Sequence, residues 1–479
     1  MIPITTRTLS ALALCERRAW LDARADRPDD GPLTLGVEWA GRGPATLEEH
    51  RAADWVSAVE QTRRWMQQGA VCIYGACFEL HLPLDLSDRV YTIRARIDRL
   101  MRIEHLGRAC YAPILLREPM AADEADRDVL DLWVWILATL DGSPPPAETW
   151  LGVDALGRAR RRLPHEYDED RVLDALTRAA DVLYRSEAPA VRLIDVCKTC
   201  PHQTACHAIA REAGALELLY GVSRHVREGL RAAGYRSLAE VAAARVDELQ
   251  RVRGIGPRTA PRIHANARAW LTGRPVRLRP TPDVCRAGGW MFDLETLERR
   301  GQIVPWCMGW CDESGRAQIA LVGPVQTPEV LALPGGQQVT LAPDSDSLWE
   351  IFAAAIDDGR PIFHWTGYDA AILRATASPA IQAALGPRLQ DLHRHFTRSI
   401  SLPLRSTSIK AVSTYLGYPW PGYNEWFAAY LDYRYWLDSG AIDALERACL
   451  YQRADVESMA WVWRWWVATD GAPDLSPGA

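Results

Sequence analysis

The chain has 479 residues, 48% hydrophobic and 24% charged, with 20 Trp and a formal net charge of −6; at about 150 residues per domain that is material for roughly three cores. No low-complexity tract or long charge run interrupts it, which excludes the disordered and collagen-like classes. The longest apolar stretches, residues 130–137 and that around Ile351, fall well short of the ~20 residues that cross a bilayer, so no membrane span is expected.

Residues 1–20 have only a short apolar stretch, with Arg17 and Arg18 following Cys15 and Glu16. That is not the order of a signal peptide, and a cytoplasmic location is expected. There an odd count of 11 Cys argues against a disulfide framework and makes clustered cysteines candidate metal ligands. Residues 1–206 alternate strand-like runs (71–84, 91–103, 109–116) with helical ones (8–25, 126–140), an α/β pattern. Cys197, Cys200 and Cys206 form C-x2-C-x5-C, and Cys15 stands alone in the predicted first helix. Four thiolates suit Zn²⁺ or a [4Fe-4S] cluster, and their spacing does not choose between them. The other cysteines read as small buried hydrophobes.

Residues 207–273 read as a small helical module punctuated by Gly221, Gly229, Gly234, Gly254 and Gly256. From His207 to Pro280 there are 14 Arg against six Asp and Glu, inside an otherwise acidic chain. That excess is the footprint of a polyanion-binding surface or of a solvated helix face. Residues 274–287 read as a linker, 288–467 as a second α/β region, and 468–479 as a loose tail.

In that second region residues 290–296 form a predicted strand whose period of two puts Asp293 and Glu295 on one face. Residues 361–365 form another, turning through Thr366 and Gly367 into a helix, so Asp369 lies at a strand-to-helix junction. Tyr451 and Asp455, four apart in the helical stretch 444–466, share a helix face. Neighbouring carboxylates repel unless a cation lies between them, and the set points to divalent metal chemistry.

Phe292-Asp293-Leu294-Glu295-Thr296, Asp369 and Tyr451-Gln452-Arg453-Ala454-Asp455, in that order, resemble the motifs of ribonuclease-H-like DEDDy 3′–5′ exonucleases. The resemblance implies phosphodiester hydrolysis with two Mg²⁺ or Mn²⁺ ions. Asp293 would bridge both ions, with Glu295 and Asp455 on one, Asp369 on a more peripheral contact, and Tyr451 orienting the attacking water. Asp391-Leu392 and the 406–418 segment resemble the bacterial branch of this fold, where Lys410 would meet a phosphate. His364 has no role in the tyrosine variant and reads as a packing residue.

One Cys before and three after an α/β domain resembles the iron–sulfur staple of RecB-family nucleases of the Cas4 and AddB kind. This favours [4Fe-4S] over Zn²⁺ at Cys15, Cys197, Cys200 and Cys206, as a clamp on the domain's ends. Those nucleases need a metal-binding Asp followed by Glu-x-Lys. Asp98 fits, but Leu115 and Arg117 replace the Glu and Lys, and Asp131 and Trp135 replace the later Gln and Tyr. Leucine cannot bind a metal and Arg does not substitute for a catalytic Lys, so this domain is expected to be degenerate, with Asp98 and Glu118 as relics.

Residues 249–260 resemble a helix-hairpin-helix motif, which implies that Gly254 and Gly256 bring backbone amides to a phosphate while Arg253, Arg258 and Arg262 add charge. The whole order resembles bacterial nucleases that fuse a RecB-like iron–sulfur domain, a helix-hairpin-helix and a ribonuclease-H-like exonuclease. The expected function is a metal-dependent 3′–5′ exonuclease on single-stranded or frayed DNA or RNA. The alternatives are a non-catalytic nucleic-acid-binding adaptor of a repair or defence complex and a Cas4-like nuclease acting through the first domain. Trp306, Trp310, Trp365 and Trp426 are candidates to stack bases.

Overall fold

The computed structural model describes residues 2–25, 33–40, 47–84, 89–105, 107–117, 123–153, 159–299, 302–421 and 426–472. Glu118 and the end of the predicted tail lie outside them. The chain divides into two compact units, Met1–Ile209 and Ala210–Ala479.

The first unit is built on an eight-stranded sheet. Its strands are β1 (Ile4–Thr5), β2 (Leu33–Glu38), β3 (Glu48–Ala52), β4 (Cys72–Pro83), β5 (Val90–His105), β6 (Arg108–Arg117), β7 (Ala147–Leu151) and β8 (Arg161–His165), in the order β3-β2-β4-β5-β6-β7-β8 with β1 parallel to β5. The core is apolar residues from both layers, such as Ile73, Phe78, Ile93 and Ile97 of the sheet and Val129, Leu132, Trp133 and Ile136 of the helices. Around it lie α1 (Thr6–Leu14), α2 (Glu16–Asp22), α3 (Trp55–Gln67), α4 (Glu124–Asp141), α5 (Glu169–Leu183) and, at the boundary, α6 (Gln203–Glu212). The expected single helix over 8–25 is two helices. Cys15, at φ −166° and ψ 118°, is extended, ending α1 and preceding α2.

The second unit opens with the helical module: α7 (Arg224–Ala232), α8 (Leu238–Ala243), α9 (Val246–Leu249) and α10 (Ala260–Thr272). Gly254, at φ +86°, makes the turn that other residues strain to adopt. After β9 (Val276–Arg277) and α11 (Asp283–Arg286) comes a seven-stranded mixed sheet. It consists of β10 (Trp290–Arg299), β11 (Gln302–Cys311), β12 (Gln318–Val322), β13 (Glu329–Ala332), β14 (Gln338–Ala342), β15 (Ile362–His364) and β16 (Leu389–Asp391), in the order β13-β14-β12-β11-β10-β15-β16. β10 is antiparallel to β11 and parallel to β15, which is parallel to β16. Covering it are α12 (Ser345–Ala355), α13 (Gly367–Thr376), α14 (Pro379–Leu385), α15 (Leu392–Ser399), α16 (Ile409–Tyr415), α17 (Trp426–Ser439) and α18 (Ile442–Ala468), with β17 (Ile400–Ser401) paired to β9. Phe292 and Trp310 pack under Trp349 and Phe352 of α12 on one face, while α18 buries Val456, Met459 and Trp466 in a separate cluster with Met291 and Phe363.

The module is fixed to this second sheet domain by polar bonds, one of them buried. Asn266, 5% exposed, accepts from the Tyr220 N–H at 2.8 Å and donates from Nδ2 to the Leu402 carbonyl at 2.7 Å. Tyr415 donates to the Gly273 carbonyl at 2.9 Å. Asn266→Ala leaves a buried N–H and a buried C=O unpaired, so urea unfolding is expected to show a loss of about 3 kcal/mol.

Candidate active site

The candidate site gathers side chains from β10, the start of α13, α16 and α18. Asp293 and Glu295 alternate along β10, and the strand's register shifts directly after Glu295. Ligand oxygens of Asp293, Glu295 and Asp455 all lie within 4.8 Å of one another, the one such group of acidic, Cys or His side chains among the described residues. Asp369 is not in this triad. It is buried in the first turn of α13, where the backbone amides of Leu294, Thr366 and Asp369 itself favour its ionised form. Asp455 and Tyr451 lie one turn apart on α18, close enough for the phenol to stabilise the Asp455 carboxylate.

Gln452 was assigned no role from sequence, yet it holds the central carboxylate. Its Nε2 donates to both the carbonyl and Oδ2 of Asp293 at 3.0 Å. Gly309, opposite Asp293 on β11, admits this side chain, since a Cβ there would come 2.9 Å from Gln452 Cγ. The available sequence signal was a polar residue in the buried face of an otherwise apolar helix.

Lys410 is the cation nearest this group. Its Nζ donates to the Tyr451 hydroxyl at 3.1 Å, lies 4.6 Å from the centre of that ring, and lowers the pKa values of Glu295 and Asp455. Ser408 caps α16 and so directs Lys410 inward. His364 is buried and hydrogen-bonded to the Thr366 carbonyl, with burial holding its imidazole below the ordinary range. Trp306, Trp310 and Trp365 are core residues at 2–4% exposure, which removes them as base-stacking candidates; Trp426 is 54% exposed.

Burial and mutual repulsion push the carboxyl groups upward. Glu295 is raised to about 8 by burial and then Asp455, Asp369 to about 7 by burial and then Asp455, and Asp455 to about 6 by burial. Asp293 rises well above its ordinary value through burial, then Asp369, Asp455 and Glu295. Asp455 Oδ1 is buried with no hydrogen-bond partner. Clustered hard oxygen donors with an unsatisfied buried oxygen fit a divalent cation such as Mg²⁺ or Mn²⁺.

In the first unit, Asp98 accepts from the Leu116 N–H at 2.9 Å, Leu115 is core, and Arg117 is ion-paired to Asp126 at 2.5 Å. Asp131, fully buried, binds His165 at 2.7 Å and Arg171, while Trp135 is buried. Asp98 belongs to no group of three converging acidic, Cys or His side chains among the described residues, and Asp126, the partner of Arg117, is the carboxylate that acts on it. Cys197 lies in the turn 195–199, Cys200 at its end and Cys206 in α6, and burial raises the Cys206 thiol pKa while Arg17 opposes the rise. No three of the four thiols come within 4.8 Å of one another among the described residues, so the compact tetrahedron of a zinc thiolate site is not formed. The glycine hairpin carries Gly254 and Gly256 with Arg253, Arg258 and Arg262 exposed around it.

Residues 216–269 match the family described as "SAM-like Helix-hairpin-helix tandem", and residues 339–467 match the RNase_H superfamily. The second match contains Asp369, Lys410, Tyr451 and Asp455 and begins after Asp293 and Glu295, whose strand pairs with β15 inside it. No curated protein matches. A solved structure titled "Crystal structure of SSO0001" aligns at 14% identity over 43% of this chain and 86% of that one, with a TM-score of 0.23.

The protein is thus an α/β multidomain chain with a helix-hairpin-helix module and a ribonuclease-H-like domain, the domain pairing of a nucleic-acid-processing nuclease. Its ribonuclease-H-like fold implies divalent ions, and no helix among the described residues is long and apolar enough to cross a membrane.

A carboxyl group raised in the folded state binds more protons there than in the unfolded chain. Its contribution is therefore full below about pH 4 and declines as pH rises towards 8. In chelator, the melting temperature is expected to fall from pH 5 to pH 8, and to fall less in Asp293→Asn, which exceeds wild type by several degrees at pH 8. Mn²⁺ reverses the order, raising wild type more at pH 8 than at pH 5. Thermal scans across this pH range check each part.

Proposed function

We propose that this protein is a metal-dependent 3′–5′ exonuclease acting on single-stranded or frayed nucleic acid at Asp293, Glu295, Asp369, Tyr451 and Asp455. The observation that carries the reading is the triad of Asp293, Glu295 and Asp455, part-buried at the first two and buried at the third, whose oxygens converge beside the Lys410 ammonium. The DEDDy resemblance supplies the 3′–5′ polarity. When bound, divalent ions held by Asp293, Glu295, Asp455 and Asp369 supply a hydroxide nucleophile near neutral pH and stabilise the leaving oxygen.

The chain's own residues do the positioning. Gln452 fixes the Asp293 carboxylate through two hydrogen bonds, and α18 rigidly spaces Tyr451 from Asp455. Burial and the surrounding carboxylates keep the Tyr451 phenol protonated. Its hydroxyl receives a hydrogen bond from Lys410 and lies beside Asp455, which orients it towards an attacking water. Lys410 sets a positive charge beside the place where phosphate charge accumulates. The module supplies backbone-reading affinity through Arg253, Arg258 and Arg262 with Gly254 and Gly256.

The domain assignment is part of the same proposal: a degenerate RecB-like domain over 1–206, the module over 207–273 and the exonuclease over 288–467. The Arg117–Asp126 pair and the hold of the Leu116 amide on Asp98 support inactivity of the first site. A [4Fe-4S] staple on Cys15, Cys197, Cys200 and Cys206 rests on the resemblance, and iron, sulfide and zinc analysis of anaerobically purified protein tests it.

End-labelled single-stranded DNA and RNA with Mn²⁺ test the function. Wild type is expected to shorten strands from the 3′ end, Asp293→Asn and Asp455→Asn to lose at least 10³-fold, and Asp98→Ala to match wild type. Equal inactivity of all four proteins with nucleic-acid binding intact overturns the enzyme reading in favour of an adaptor; loss in Asp98→Ala alone favours the first domain. Gln452→Ala frees the Asp293 carboxylate and is expected to lower kcat/KM about 10- to 100-fold, seen in steady-state kinetics with folding checked by circular dichroism.

A further inference from the structure

The helical module and the acidic site belong to one unit, joined by a seam whose polar groups connect them directly. Thr407 donates to the Tyr220 hydroxyl at 2.7 Å and lies 2.6 Å from His393 Nε2, while its carbonyl accepts from Trp365 at 3.0 Å. The next residue, Ser408, caps the helix that carries Lys410. Arg262 of α10 lines the same small cavity as Tyr220, Asn266, Thr397 and Thr407 and acts electrostatically on His393.

The helix α15 runs between an element of each site. It starts at Asp391, the register partner of His364 on the strand that leads into the Asp369 turn. It ends at Ser399, whose carbonyl accepts from the Leu278 N–H beside the β9–β17 pair that follows the module. Eight residues at ~1.5 Å each give a bridge about 12 Å long. Arg394 and Arg398, one turn apart, are exposed on it, as are Arg258 and Arg262 on the module, and none of the four makes an ion pair among the described residues. Like charges kept exposed and without counter-ions on a rigid frame are arranged for a polyanion.

We infer that Arg394 and Arg398 of α15, continuing from Arg262, form a fixed track for the phosphates of one nucleic-acid strand running from the helix-hairpin-helix module to the acidic site. The inference rests on the proposed nuclease reading and deepens it. The module holds the same strand whose end lies at the carboxylates, and because the seam is rigid the track has a constant length. A strand too short to reach α15 loses these contacts.

Binding in the non-cleaving Asp293→Asn background tests the track, with single-stranded DNA of twelve nucleotides and a dinucleotide titrated across a salt series. Adding Arg394→Ala and Arg398→Ala is expected to flatten the slope of log affinity against log salt by about 1.4 for the longer strand. The same loss weakens binding about 20-fold at 0.1 M salt. The dinucleotide is expected to bind both proteins alike, and Arg394→Lys with Arg398→Lys to restore the slope. An unchanged slope, a matching loss for the dinucleotide, or failure of the lysine variants to rescue overturns the track. If wild-type protein cleaves 3′ ends while the slope is unchanged, the track falls and the function stands. If nothing is cleaved while the slope flattens, the function falls and the track stands.

Discussion

Four carboxylates forced together away from water set the terms for the rest of the second unit. Burial raises the proton affinity of Asp293, Glu295, Asp369 and Asp455, and the Asp455 charge raises that of the other three further. Such a cluster opposes folding unless the scaffold around it is rigid or a cation joins it. Rigidity comes from the β10–β11 and β10–β15 pairings, from the 27-residue helix α18, and from a core dense in aromatic rings such as Phe292 against Phe352. Lys410 and Gln452 then relieve part of the repulsion, one by charge and one by hydrogen bonding.

The helical module is not tethered by a free linker. Residues 274–287, which read as a linker in sequence, include β9 and α11; β9 pairs with β17, and Arg277 and Arg286 are both ion-paired to Asp470. A buried Asn and paired strands make the module an extension of the sheet domain, so the basic charge of 207–280 is held at a set position relative to the carboxylates.

In the first unit the positions that sequence analysis compared with a nuclease motif are engaged in other interactions. Where Glu-x-Lys is expected, Leu115 adds to the core and Arg117 closes on Asp126. Asp131 is likewise committed to His165 and Arg171. Asp98 in turn is held by the Leu116 amide, near the Arg117–Asp126 pair.

Residue identity and short-range periodicity carried much of this in the sequence. The period of two along 290–296 and the spacing of four between Tyr451 and Asp455 are local rules, legible without neighbours, as was the excess of Arg over 207–280. The break at Cys15 was not legible, because apolar periodicity continues through it and only its extended backbone ends the helix. Nor were the burial of Trp306, Trp310 and Trp365, the role of Gln452, or the space for it at Gly309. These depend on which strands and helices lie against each other, a matter of contacts between residues some 140 to 160 positions apart. Sequence by itself determined which chemical groups the chain carries and their local spacing. Only the tertiary structure decided which of them share one buried volume, because repulsion, desolvation and hydrogen bonding act through space and not along the chain.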